Sequence, residues 1–164
     1  PWANLCAARV ATGMEERDLI EIGKAAFYCE RSLRLGGDDP LPLVNLAAAY
    51  WLTGRPEEAR ALLREAVEKH PGSALVHYNY GVMLELSGAD GSGPDLAAAL
   101  AAYERALLAD AFHYEARLRR MSLLVLLGRR SEADTERELL NRLFPDRIER
   151  TESALRGAFS LVGP

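Results

Sequence analysis

The chain has 164 residues, of which 27% are charged, and a formal net charge of −4. This length is enough for one compact domain or for a short repeat array. The acidic balance argues against nucleic-acid binding, for which a basic stripe is the usual sign. No apolar run approaches the roughly 20 residues needed to cross a bilayer, so we expect neither nucleic acid nor a membrane span.

The amino-terminal segment lacks the basic flank and the apolar core of a secretory signal. It also begins without Met, which predicts a processed product or a piece excised from a longer protein. Cys6 and Cys29 form no CxxC pair, and two thiols are too few to indicate a disulfide framework. We therefore expect free structural cysteines. A cytoplasmic location is favoured, with the soluble part of a larger envelope protein as the alternative.

The chain contains an internal repeat. Gly54 and Gly88 lie 34 residues apart, whereas Ala59 and Ala99 lie 40 residues apart. A single period of 34 with one six-residue insertion explains both offsets. The segment ADGSGPD at 89–95 holds two Gly and one Pro between helical patterns and is the place for this insertion.

Each repeat unit reads as a helix, a short turn and a second helix. Gly54 suits the end of the first helix, and Pro56 suits the first turn of the second. Nothing alternates with the period of two that a strand requires. The predicted inward stripes of the best unit are Leu43, Leu46, Ala47 and Tyr50 in the first helix and Ala59, Leu62, Leu63, Ala66 and Val67 in the second.

These residues resemble the tetratricopeptide repeat (TPR) family, most closely at 40–73. The resemblance implies an all-α fold, a right-handed α-α superhelix of helix hairpins that ends in a capping helix. It divides the chain into a degenerate first unit at 1–39, a unit at 40–73, a unit at 74–113 with the insertion at 89–95, a TPR-like unit at 114–145, and a capping helix and tail at 146–164.

Three parts of the chain depart from the family pattern. The unit at 1–39 has extra residues between its two helices. In the unit at 114–145, Arg120 and Arg137 stand where the family has apolar residues. The tail is predicted to form the capping helix with Ile148, Leu155 and Phe159 on one side.

The first helix at 40–52 carries a second apolar stripe, and a helix that is apolar all round should be covered all round. In TPR arrays this helix also lines the concave face, so the resemblance implies a ligand groove there. The alternative is that Trp51 and its neighbours simply pack between repeats. The predicted groove residues are Val44, Asn45, Ala48, Trp51, Tyr78, Asn79, Val82, Leu118 and Arg119.

Polar residues of this groove resemble two family devices. Asn45, Asn79 and Asn4 are similar to a ladder of amides that hold a peptide backbone. Asn79 and Arg119 match part of the carboxylate clamp of chaperone-binding members. A full clamp is not expected, because its other cationic or amide positions are held by Val44, Ala48 and Glu115.

Catalytic motifs are absent from the sequence, which has no GxSxG, GxxxxGK[ST] or HExxH. We predict no cofactor and no metal, since Asp90, Ser92 and Asp95 are too few ligands at the wrong spacing for calcium.

The sequence therefore predicts a non-enzymatic scaffold that binds a protein or peptide segment in an apolar groove. One alternative is the accessory TPR region of a larger enzyme such as a glycosyltransferase or hydroxylase. A second alternative is a secretion-type chaperone. The degenerate first unit is a candidate for self-association, and the composition rich in Ala, Leu and Arg suggests a bacterial source.

Overall fold

The fold is built from helices over the part of the chain that the structure describes. A computed structural model describes residues 2–88 and 90–162, without the side chains of Phe159 and Val162. These described residues form nine α-helices, one 3-10 helix at Pro145–Arg147, and no strand, which confirms the all-α class. The α-helices are α1 (Trp2–Glu16), α2 (Leu19–Arg34), α3 (Leu41–Leu52), α4 (Pro56–Lys69), α5 (Ala74–Ser87), α6 (Leu96–Ala109), α7 (Tyr114–Leu126), α8 (Arg130–Leu143) and α9 (Ile148–Val162).

The turns inside the hairpins follow from local residue chemistry. Gly54 and Gly128 follow α3 and α7 with φ angles of 79° and 75°, a region that glycine adopts without steric cost. Helix α4 begins at Pro56, where the missing N–H would have had no helical partner. Asp95 precedes α6, and its carboxylate accepts a hydrogen bond of 2.9 Å from the backbone N–H of Ala98.

The chain divides into two units, residues 1–80 and 81–164, with the boundary inside α5. In the first unit, α1 packs against α2, both contact α3, and α3 packs against α4. The whole predicted inward stripe of α3 is buried, as are Ala59, Leu63 and Ala66 of α4. Leu62 and Val67 are half-buried. Helix α3 is therefore the centre of this unit.

In the second unit, α7 has the central position and packs against α6, α8 and α9. Met121, Leu123 and Leu124 of α7 are completely buried. Tyr103 of α6 is equally buried, and its ring lies directly against the backbone of Gly81 in α5.

Ion pairs replace apolar contacts at the two arginines that depart from the family pattern. Arg120 and Arg117 of α7 both bind the Glu136 carboxylate on α8, and Arg117 Nη1 lies 2.6 Å from Glu136 Oε1. Arg137 Nη1 of α8 lies 3.4 Å from Glu152 Oε1 of α9. Because Glu136 is buried, its charge requires partners of this kind.

The first hairpin differs from the prediction in two respects. Only Arg17 and Asp18 separate α1 from α2. The prediction of extra residues between the two helices is therefore wrong, and these residues instead make α1 and α2 longer. Cys6 and Cys29, expected to be free, form a disulfide with their Cα atoms 4.8 Å apart. The sequence could not reveal this bond, because pairing requires Cα atoms within about 7 Å, and helix packing decides that distance.

Helix α9 covers the last hairpin by packing against α7 and α8. Leu155 is buried as predicted, together with Thr151 and Ala158. Ile148, predicted on the same side, is instead exposed because it is the first residue of the helix, one turn before the buried face begins. The side chain of Phe159 lies outside the described residues.

The described part of the insertion, residues 90–95, folds back onto the end of α5. The backbone N–H of Gly93 donates to the Ser87 carbonyl at 3.1 Å, and the N–H of Asp95 donates to the Leu84 carbonyl at 2.9 Å. The Ser87 carbonyl lies at the end of α5, where helical partners run out, whereas the Leu84 carbonyl also accepts the N–H of Gly88 at 3.0 Å.

Replacing Gly81 by Ala should destabilise the protein. A Cβ atom at this position would lie 2.6 Å from Tyr103 Cε1, and overpacking of this kind costs about 1–3 kcal/mol. The matched control is Gly157→Ala in α9, where a Cβ atom meets nothing within 4 Å. Because Ala is the better helix former, the control should raise the free energy of unfolding by up to about 1 kcal/mol. Urea denaturation measures the free energy of unfolding of both variants. If this free energy changed in the same direction in Gly81→Ala and Gly157→Ala, the prediction would be contradicted.

Candidate functional site

The predicted groove residues of α3 differ in their accessibility. Val44 is buried, with 4% of its surface exposed, and does not present a side chain to a ligand in this structure. Ala48 and Trp51, one turn apart, are both partly exposed. The Nδ2 atom of Asn45 is buried and has no hydrogen-bond partner within the described ranges. On α3, therefore, Trp51, Ala48 and part of Asn45 are the accessible part of the predicted groove.

The predicted groove residues of α5 in the first unit are Tyr78 and Asn79, and both are partly exposed. The Asn79 amide donates a hydrogen bond of 2.8 Å to the Leu75 carbonyl of its own helix. One of its donors is thus engaged within α5, and Asn45 and Asn79 have different hydrogen-bonding environments. The side chain of Tyr78 remains accessible for an apolar contact.

The second unit contains a cleft of about 320 Å³ between α7 and α9. It includes the predicted residues Leu118 and Arg119 but not Val82, which is partly exposed elsewhere on α5. The apolar residues of the cleft are Leu118, Leu126, Ala154, Ala158 and Leu161, and the polar ones are Glu85, Glu115, Arg119, Ser122 and Arg150. The structure thus brings two of the three predicted residues of this unit together.

Two ion pairs lie along the cleft. Arg119 Nη1 is 2.9 Å from Glu85 Oε1, and Glu85 Oε2 accepts a hydrogen bond of 2.7 Å from the Tyr103 hydroxyl. Arg150 Nη2 is 2.9 Å from Glu115 Oε2. Each cation therefore has a carboxylate partner, and the lining carries balanced charge. Arg119 is bound by Glu85 and is not presented as one arm of a carboxylate clamp.

Sequence reasoning missed the contribution of α9 to this cleft. Arg150, Ala154 and Leu161 form its second wall, but α9 lies outside the repeat, so no repeat position predicts their direction. The ion pair of Glu85 with Arg119 was not predicted either. Its signal in the sequence is that Glu85 is the one acidic residue of α5, and a partly buried carboxylate requires a cationic or hydroxyl partner.

In the first unit, Tyr50 forms the polar end of the inward stripe of α3. Its hydroxyl donates a hydrogen bond of 2.8 Å to Glu30 Oε1 of α2, and the Arg55 guanidinium lies 3.7 Å from the ring centroid. Burial raises the pKa of Tyr50 above its usual value of 10.0, and the bond to the Glu30 carboxylate raises it further. The neutral phenol therefore stabilises the contact between α2 and α3.

No group of three or more His, Cys, Asp or Glu side chains that could hold a metal ion occurs among the described residues. Within the same residues, every helix is too short or too polar to cross a membrane.

Residues 40–83 match the tetratricopeptide repeat family, and a comparison with curated proteins found no match. Among solved structures, the TPR protein TTC0263 from Thermus thermophilus is 19% identical with a TM-score of 0.69, covering 96% of this chain and 83% of that chain. YrrB, described as a TPR protein with an unusual peptide-binding site, is 18% identical with a TM-score of 0.60, covering 89% of this chain and 71% of that chain. A mutant O-GlcNAc transferase from Thermobaculum terrenum is 24% identical with a TM-score of 0.56, covering 77% of this chain and 23% of that chain. At these identities the likeness concerns the fold.

The hydrogen bond between Tyr50 and Glu30 predicts a pH-dependent effect of Tyr50→Phe. At pH 7 the loss of this bond should lower the free energy of unfolding by about 1 kcal/mol. Because the pKa of Tyr50 is raised in the folded state, its stabilising effect is complete below the unfolded value and is lost as the pH rises through the folded value. Wild type and variant should therefore converge in stability at alkaline pH.

Urea denaturation at neutral and alkaline pH measures this convergence. Tyr80→Phe on α5 is the control, since the Tyr80 hydroxyl makes no hydrogen bond within the described part of the chain. A difference between Tyr50→Phe and wild type that grows with pH would show that the phenol is not the stabilising form.

Proposed function

We propose, from the premise that this chain is a tetratricopeptide repeat protein, that it is a non-enzymatic scaffold whose helical surfaces bind a peptide or protein segment. The TPR fold indicates a protein-interaction module, and TPR proteins bind protein or peptide partners. The observation that carries the proposal is the cleft between α7 and α9. Its apolar wall and balanced ion pairs suit a segment with apolar side chains and polar flanks.

The surfaces of the two units contribute different contacts to this function. In the first unit, Trp51 and Tyr78 offer aromatic contacts on α3 and α5, and both keep part of their surface accessible. In the second unit, Leu118 offers an aliphatic contact inside the cleft. The likeness to YrrB, described as having an unusual peptide-binding site, supports a peptide as the ligand class.

The experiment begins with peptides selected from a random displayed library on the wild-type protein. Leu118→Asp should weaken the binding of the selected peptides by about tenfold or more, because one large apolar contact is worth roughly 1.5–3 kcal/mol. The matched control is Leu108→Asp on α6, since Leu108 is 87% exposed and does not line the cleft. Fluorescence anisotropy measures both affinities. Equal affinities of Leu118→Asp and wild type for every selected peptide would exclude the cleft.

The aromatic contacts of the first unit are tested with Trp51→Ala combined with Tyr78→Ala. Peptides that use this surface should bind the double variant at least tenfold more weakly, for the same reason. Phe112→Ala combined with Leu108→Ala removes two exposed apolar residues of the second unit and is the control. Full retention of every selected peptide by the Trp51 and Tyr78 variant would remove this surface from the proposal.

The accessory region of a larger enzyme is a second candidate function. It is favoured by the likeness to the O-GlcNAc transferase, of which 23% is covered. This likeness concerns the fold alone. The parent reading frame decides the question, because a catalytic domain encoded next to this chain would support the accessory role.

We also propose that a second copy of this chain is a partner, bound through the first hairpin. Ile20 and Phe27 on α2 are 71% and 57% exposed, and Arg31 follows them at helical spacing. Glu15 and Glu16 end α1 at the turn of the hairpin, whereas Arg31 lies near the other end, away from the turn. A second copy in antiparallel orientation would bring these acidic residues to Arg31 and cover the apolar ones, as a two-fold interface requires.

Phe27→Glu should therefore shift a concentration-dependent dimer to monomer in sedimentation equilibrium, because a charged side chain would replace the central apolar contact. Phe112→Glu, at an exposed site of the second unit, should leave the equilibrium unchanged. A wild-type protein that sediments as a monomer at all accessible concentrations would refute this proposal.

A further inference from the structure

The first hairpin contains a covalent bond between its helices. The disulfide joins Cys6 in the first half of α1 to Cys29 in the second half of α2, and both cysteines are completely buried. Nothing in the repeat pattern requires this bond, since the hairpins of α3 with α4 and α7 with α8 contain no cysteine. The first hairpin therefore differs from the others in how its helices are held together.

The interior of this hairpin is small. Apart from the two cysteines, the buried residues of α1 and α2 are Val10, Gly13, Ile22 and Ala25. Larger apolar side chains of the same helices are exposed instead: Leu5, Met14, Leu19, Ile20 and Phe27. Burial of apolar surface is the main stabilising contribution to a helix pair, and here the fully buried side chains are few. Further contacts between α1 and α2 come from partly exposed groups, namely the stacked rings of Trp2 and Tyr28, with centroids 5.9 Å apart, and the ion pair of Arg9 with Glu21.

The two helices approach closely at both ends of the hairpin. Near the turn, a Cβ atom on Gly13 would lie 2.5 Å from Ile22 Cγ1 and 3.0 Å from the Ile22 backbone nitrogen. Away from the turn, the Cα atoms of Cys6 and Cys29 are 4.8 Å apart. Reduction would therefore leave two buried thiols facing each other at this end, with no bond to hold the helices together.

We propose that oxidation of Cys6 and Cys29 is a folding step of the first hairpin, and that the chain matures in a compartment that contains a thiol–disulfide oxidant. One cysteine thiolate attacks the disulfide of the oxidant and forms a mixed disulfide, and the second thiolate then displaces the oxidant. The new bond is Cys6–Cys29. The two cysteines lose two protons and two electrons, and the oxidant leaves as a dithiol.

The burial of both sulfur atoms decides when this reaction takes place. Since neither cysteine is exposed in the closed hairpin, an external oxidant can reach them only before α1 and α2 pack together. Once closed, the hairpin protects the bond from reductants for the same reason. Cytosolic thiol systems keep unprotected cysteines reduced. The disulfide therefore favours an oxidising compartment over the cytoplasmic location expected from the sequence.

The bond also affects the neighbouring surface in the first unit. Helices α1 and α2 both pack on α3, and Glu30 of α2 accepts the Tyr50 hydroxyl of that helix. Because α3 carries Trp51, opening of the first hairpin would uncover apolar surface beside a proposed ligand contact. By holding α1 and α2 together, the disulfide thus keeps both helices packed on α3.

The first experiment counts thiols in the full chain. The chain is produced once with an export signal into an oxidising periplasm and once in a reducing cytosol, quenched in acid, and alkylated in denaturant. Mass spectrometry should find no alkylated cysteine in the exported protein and two in the cytosolic protein. Two free thiols in the exported protein would overturn the proposal.

The second experiment measures hydrogen exchange in the oxidised and the reduced wild-type chain. Cross-linking residues 23 positions apart restricts the open state enough to change the ratio of closed to open hairpin roughly a hundredfold. Upon reduction, the protection factors of the amides in α1 and α2 should fall roughly a hundredfold. The protection factors of the amides in α7 and α8 should stay unchanged.

The double variant Cys6→Ala with Cys29→Ala should behave like the reduced protein, and the unchanged second unit shows that the chain is still folded. The reduced wild type has the same sequence as the oxidised protein, so it separates loss of the bond from loss of the side chains. Equal protection of α1 and α2 in the oxidised and reduced proteins would refute the role of the bond.

Discussion

The covering of the first helix of each hairpin is the constraint on which the rest of this structure depends. Helix α3 has apolar residues on nearly all sides, and one partner helix cannot cover such a surface. It is buried by α1, α2 and α4 together, as α7 is buried by α6, α8 and α9. This need for neighbours is why a single hairpin is not stable alone and why hairpins stack. The neighbours leave apolar surface partly accessible at Trp51 and Leu118, and this is the surface that we propose as a ligand contact.

Buried polar groups select how the helices meet. Each links a helix to its neighbour: Tyr50 with Glu30 between α3 and α2, Tyr103 with Glu85 between α6 and α5, and Arg117 with Glu136 between α7 and α8. A buried charge or hydroxyl without a partner costs more than a mismatched apolar contact. These pairs therefore disfavour alternative registers. At Glu85 the same requirement reaches the cleft, because the carboxylate that binds the Tyr103 hydroxyl also binds Arg119 in the cleft lining.

The first hairpin meets the covering requirement by other means. Its small interior residues let α1 and α2 approach closely, but they leave large side chains such as Ile20 and Phe27 outside. A covalent bond adds to the few buried contacts of this hairpin, and in the chain-entropy model it stabilises mainly by restricting the open chain. The stability of the surface on α3 is thereby connected to the redox state of two residues that belong to other helices.

The sequence by itself determined the repeat period, the turns at Gly54 and Pro56, and the inward stripe of α3, because these depend on helical periodicity and on the local conformations of single residues. Only the tertiary structure decided that Val44 is buried while Trp51 keeps accessible surface, that Arg119 is bound by Glu85, that α9 supplies one wall of the cleft, and that Cys6 meets Cys29. These features depend on the distance and rotation between helices, whether those helices are consecutive, as for Cys6 and Cys29, or further apart in the chain. Helical periodicity gives the direction of a side chain on its own helix, but packing gives the group that it meets.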